Sequence, residues 1–103
     1  MATIKGQLAE EVAFMGENTE DLVCFYRKHG SKTLVVCTFE DLPTREFNEG
    51  FGGVEGEPTI AFSPNYVYVR RVYDGAEDFC AVPRNPEMIK TVGNIPAVGG
   101  GSY

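Results

Sequence analysis

The sequence has one histidine, three cysteines and no C-x-x-C pair. Zinc sites typically take four Cys or His ligands in closely spaced pairs. No zinc site is expected, nor any other metal or cofactor. His29 lies five residues from Cys24. Five residues span about 16 Å in a strand, and in a helix they point to different faces. That spacing does not make a Cys–His nucleophile pair. The thiols of Cys24, Cys37 and Cys80 read as reduced, small apolar groups of the core. No apolar run approaches the ~20 residues of a membrane span. The first residues carry no basic stretch followed by an apolar block, so a cytoplasmic location is expected rather than secretion.

The glycines at 50, 52, 53 and 56 miss the G-x-G-x-x-G spacing, because Glu55 stands where the last glycine belongs. They also lack the Lys-Ser/Thr pair of a phosphate loop. Basic residues are scarce as well. The formal net charge is −6 over 103 residues. Residues 1–57 hold 11 acids and 5 bases, whereas residues 58–103 hold 4 of each. Such a first half repels a phosphate backbone, so direct nucleic-acid binding is not expected. It suits a basic protein surface instead.

What the chain does have fits one α+β domain. Leu8, Val12 and Met15, with Ile4 one turn earlier, predict an amphipathic helix over 7–15 that Gly16 ends. Residues 20–29 carry helix end signals: Thr19 as N-cap, Glu20 and Asp21 in the first turn, Arg27 to His29 in the last, then Gly30. Those signals predict a second short helix. The competing reading makes Leu22–Tyr26 a strand turning at Gly30-Ser31 into 33–39, with Cys24 opposite Cys37.

Residues 33–39 form an apolar strand read as central in its sheet. Residues 59–62, 66–73 and 76–82 read as an antiparallel meander with turns at Ser63-Pro64-Asn65 and Asp74-Gly75. The two-residue turn sets Arg71 opposite Asp78, Val69 opposite Cys80 and Val67 opposite Val82. The valine and cysteine face is assigned to the core. The predicted fold is thus short N-terminal helices packed on an antiparallel sheet of about four strands. The alternative is a mostly β chain with 22–39 as a hairpin. Residues 1–86 make the globular domain, and 87–103 make a C-terminal arm that is glycine-rich near its end.

Two candidate docking surfaces follow. Alternation puts Tyr66, Tyr68 and Arg70 on one face with Phe79 across from Arg70, and aromatics with arginine are what interface hot spots use. Helices packed on that face would bury the rings instead. The second surface is the acidic stretch with Glu46, Glu49, Glu55 and Glu57, which suits electrostatic steering toward a basic partner. The expected function is a small, acidic, non-enzymatic binding protein. It would act as an inhibitor or adaptor on a larger protein, such as a nucleic-acid-processing one. A viral origin would fit a chain of this size and charge. The alternative is a small structural subunit of a homo-oligomeric or viral assembly, with 87–103 reaching a neighbour. A third reading, an enzyme, requires a pocket holding a cysteine with a perturbed pKa.

Overall fold

The computed structural model describes residues 2–47, 56–73 and 76–85. Helix α1 spans Ile4–Phe14. Thr3 caps its start, its Oγ1 accepting the Gly6 N–H at 2.9 Å. Its end is a Schellman turn: Gly16 N–H donates to Ala13 O, and Glu17 N–H to Val12 O. Gly16 sits at φ 74, the left-handed conformation such a turn requires. Ile4, Leu8 and Val12 are buried one turn apart, which is the predicted stripe.

Residues 20–29 are not a helix. Thr19–Asp21 form a single 3-10 turn, and Val23–Tyr26 form strand β1. The acids and the glycine that looked like helix ends serve tight turns. Gly30, at φ 78, follows His29 in a turn closed by Ser31 N–H to Lys28 O at 3.0 Å. The same residue types mark both kinds of ending. The β-branched and aromatic run between them decides for strand.

Strand β2 spans Val35–Cys37 and pairs antiparallel with β1, with Cys24 opposite Cys37. The hairpin of the competing reading therefore forms, inside an α+β fold. Strands β3 (Thr59–Phe62), β4 (Tyr66–Tyr73) and β5 (Ala76–Pro83) complete a five-stranded antiparallel sheet. Its order is β2-β1-β3-β4-β5. The meander holds its predicted register: Arg71 faces Asp78, Val69 faces Cys80 and Val67 faces Val82. Tyr73 pairs with Ala76, so two residues join β4 to β5. The segment read as a central strand is instead a short edge strand, with Val36 and Leu34 exposed. The predicted arm at 87–103 lies outside the described residues. Among the described residues, no helix is long and apolar enough to cross a membrane.

The core lies between α1 and the sheet face carrying Cys24, Ala61, Tyr66, Tyr68, Phe79 and Ala81. Val67, Val69 and Val82 are only half-buried on the opposite face, and Cys80 alone of that set is buried. The assignment of the core to the valine face is therefore inverted. The reason is polar satisfaction. A buried polar group must find a hydrogen-bond partner, and on the aromatic face the Tyr68 hydroxyl and both Arg70 Nη atoms do. Tyr68 OH donates to Glu17 Oε1, just past the end of α1. Arg70 donates to Gln7 of α1 at 2.7 Å and to Glu77 of β5 at 3.0 Å. With their polar heads served, the larger rings take the buried side, where they remove more apolar area from water.

Candidate functional site

The docking patch read from the sequence is interior in this fold. Tyr68 is fully buried, Tyr66 and Phe79 are nearly so, and Arg70 lies under α1 with a side chain 12% exposed. These four residues do come together on one face, but α1 occupies that face. The Arg70 guanidinium stacks 4.6 Å from the Phe79 ring centre and 5.8 Å from that of Phe47. Among the described residues its Nε has no hydrogen-bond partner. Desolvation lowers the Arg70 pKa, and its hydrogen bond to Glu77 opposes that shift.

The acidic set divides. Glu46 is exposed. Glu57 is buried, with Arg45 Nη2 3.2 Å from its Oε1. Glu57 is thus tied into the fold rather than offered to a partner. Glu49 and Glu55 lie outside the described residues.

The three thiols are all held toward the neutral form. Burial pushes Cys24 up to about 11, with the facing Cys37 adding to it. Burial also raises Cys37 and Cys80. None lines the two described cavities, so the geometry offers a thiolate nucleophile no support. Among the described residues, no group of three His, Cys, Asp or Glu side chains is placed to hold a metal.

The Cys24 shift carries a prediction about pH. A thiol with a raised folded pKa contributes stability that is complete below its unfolded value, near 9, and lost as pH climbs to about 11. Tyr68 acts in the same direction, raised above its ordinary 10.0 by burial and then by its hydrogen bond to Glu17. Urea unfolding should give constant stability from neutral pH to about 9 and a steep fall beyond it. Cys24→Ala should make the early part of that fall shallower. A stability flat through pH 11 would contradict both assignments.

The surface that sequence reasoning missed is the other side of the sheet. Pairing places Val23 and Phe25 of β1, Val36 of β2, Ile60 and Phe62 of β3, and Val67 and Val69 of β4 on one face. No described helix covers it. Val23 is 50% exposed and Val36 62%, and Leu34 beside them is 61% exposed. Phe25 and Phe62 meet edge to face at its centre, with ring centres 5.7 Å apart. A cavity of about 340 Å³ opens at one end, between Phe25, Leu34, Pro58 and Ile60.

The signal for this face was the missing alternation in Leu22–Tyr26 and in 33–39. A strand that is apolar on both sides either lies between two layers or presents a bare apolar face. Charge brackets the face at its β1–β2 side. Exposed Glu20, Asp21, Glu40 and Asp41 lie at the end where Val23 and Cys37 sit. Exposed Arg27, Lys28 and Lys32 lie at the opposite end, beyond Tyr26 and Val35. No protein-family model, curated protein or solved structure matches the chain.

Proposed function

We propose that this chain is a small non-enzymatic binding protein that docks on another protein through the uncovered face of its sheet. One observation carries the reading. Val23, Val36 and Leu34 are half or more exposed around a Phe25–Phe62 centre, on a face that no described element covers. Large contiguous apolar patches rimmed by polar residues mark interaction surfaces. The docking anchor thereby moves from Tyr66, Tyr68 and Phe79 to Phe25, Phe62 and their valine neighbours. The matching partner presents an apolar centre, with cations placed against Glu20, Asp21 and Asp41. Covering such a basic-rimmed site on a larger protein, for example a nucleic-acid-processing one, is how an inhibitor or adaptor of this size would work.

The test uses Val23→Lys/Val36→Lys, which charges the face at its two most exposed strand positions. Wild type should retain one stoichiometric partner from source-cell lysate, more weakly at high salt. The double variant should lose that partner while keeping the wild-type unfolding midpoint. Capture that survives both lysines in a folded protein would sink the reading.

A further inference from the structure

We infer that in the free protein the open sheet face is occupied by a second copy of the same chain, the two sheets packed face to face about a twofold axis that reverses strand direction. The inference rests on the reading of that face as a docking surface and names its occupant.

Three features support it. The first is area. Five strands at about 4.8 Å spacing, carrying strands of mostly four to eight residues, make a face of about 24 by 20 Å. Two such faces remove at most about 1,000 Å² of surface from water, the lower limit of a specific contact. Sheets pack in this way, about 10 Å apart with strands nearly aligned.

The second is neutrality. The chain carries a net charge of −6, so two copies repel unless their contact surface is free of that charge. The face meets this condition. Its β4–β5 part holds Arg71 and Asp78, paired to each other at 2.6 Å and thus mutually compensating. Val23, Phe25, Val36, Ile60, Phe62, Val67 and Val69 supply the rest of the contact.

The third is polarity along the strands, and it selects the symmetry. Strands β1 and β2 run between an acidic end (Glu20, Asp21 and Asp41, with Glu40 paired to Lys5) and a basic end (Arg27, Lys28, Lys32). An axis lying in the interface and perpendicular to the strands sets β1–β2 of one copy over β1–β2 of the other with ends exchanged. Each acidic end then meets a basic end, twice per dimer, as an isologous contact demands. An axis parallel to the strands exchanges no ends. The modest area makes the dimer weak, of micromolar order. A larger partner reaches the face by displacing the second copy.

Sedimentation equilibrium across a concentration series tests this with four full-length proteins. Wild type should be a dimer that dissociates on dilution and weakens with salt. Val23→Lys/Val36→Lys should be monomeric and folded. Glu20→Lys/Asp21→Lys abolishes the net negative charge of the acidic end, and Arg27→Glu/Lys28→Glu makes both ends acidic. Each alone should dimerise about tenfold or more weakly than wild type. Mixed in equal amounts, they should form a heterodimer. Wild type that stays monomeric overturns the inference. If it still captures a partner through the face, the proposed function stands without it. If it is monomeric and captures no partner through the face, both readings fall. A dimer that persists with both lysines in place, or charge variants that do not pair on mixing, overturns the inference as well.

Discussion

Replacing Glu77 by alanine should lower the free energy of unfolding by about 3–5 kcal/mol, the cost of breaking a buried ion pair from one side. The Glu77 side chain is fully buried and that of Arg70 is 12% exposed. Glu77 Oε1 accepts from Arg70 Nη2 at 3.0 Å and from the Gly56 N–H at 2.9 Å. Gln7 closes the network from α1, taking Arg70 Nη1 on its carbonyl and giving its own amide to the Glu77 backbone oxygen. Alanine at 77 leaves the Arg70 cation under the helix without its hydrogen-bonded counter-charge and strips the Gly56 amide of this partner.

A domain of ordinary stability has only about 5–15 kcal/mol to lose, so the urea midpoint should fall by a large fraction. Glu77→Gln, which keeps an acceptor but not the charge, should lose less. A paired apolar replacement, Arg70→Met/Glu77→Leu, should recover much of the loss, because no charge is then left in the interior. A Glu77→Ala cost below about 1 kcal/mol, the size of an exposed pair, would mean that the network is open to water. Gly56 belongs to the same unit. A Cβ there would come within 3.0 Å of both Arg70 Nη2 and Ile4 Cδ1, and 3.1 Å from Glu77 Oε1.

This network also shows what was legible in the sequence and what was not. The meander 59–82 was, because two-residue turn chemistry fixes register locally, and Arg71 opposite Asp78 confirmed it from residues alone. The stripe of α1 was legible because Ile4, Leu8 and Val12 repeat on one helical face. Residues 20–29 were not. Thr19, Glu20, Asp21 and Gly30 are the residues of caps and of turns alike, and the pairing of β1 with β3 depends on residues 59–62, far along the chain.

The choice of core face was not legible either. Both faces of β4 alternate properly, so periodicity offers no preference between Tyr66/Tyr68/Arg70 and Val67/Val69/Arg71. Each face even holds an arginine paired with an acid of β5, Glu77 on the diagonal from Arg70 and Asp78 directly opposite Arg71. What separates them is Gln7 and Glu17, contributed by α1 and the residues just after it. No local pattern in β4 announces those partners. The open apolar face was missed for the same reason, since it is the face left over once α1 has chosen.

Tyr68→Ala and Val67→Ala therefore make a direct test of that choice, on neighbouring residues of one strand. Tyr68 is fully buried and its hydroxyl donates to Glu17, which also accepts from Ser63 and Asn65 at the β3–β4 turn. Its truncation removes a large ring from a packed core and should cost about 3–5 kcal/mol. Val67 is half-buried on the open face, and its truncation should cost about 1 kcal/mol or less. Urea midpoints at a constant m-value give both numbers. The reverse order would place α1 on the valine face.

The comparison also bears on the proposed function, because both core truncation and face charging should abolish docking, by different routes. Tyr68→Ala should lose a partner only in proportion to its loss of near-ultraviolet circular dichroism, as unfolding takes the surface with it. Val23→Lys/Val36→Lys should lose the partner with the folded signal intact. The residue whose change separates binding from folding lies on the docking surface, and the proposed function expects that residue on β1 or β2 rather than among the tyrosines of β4.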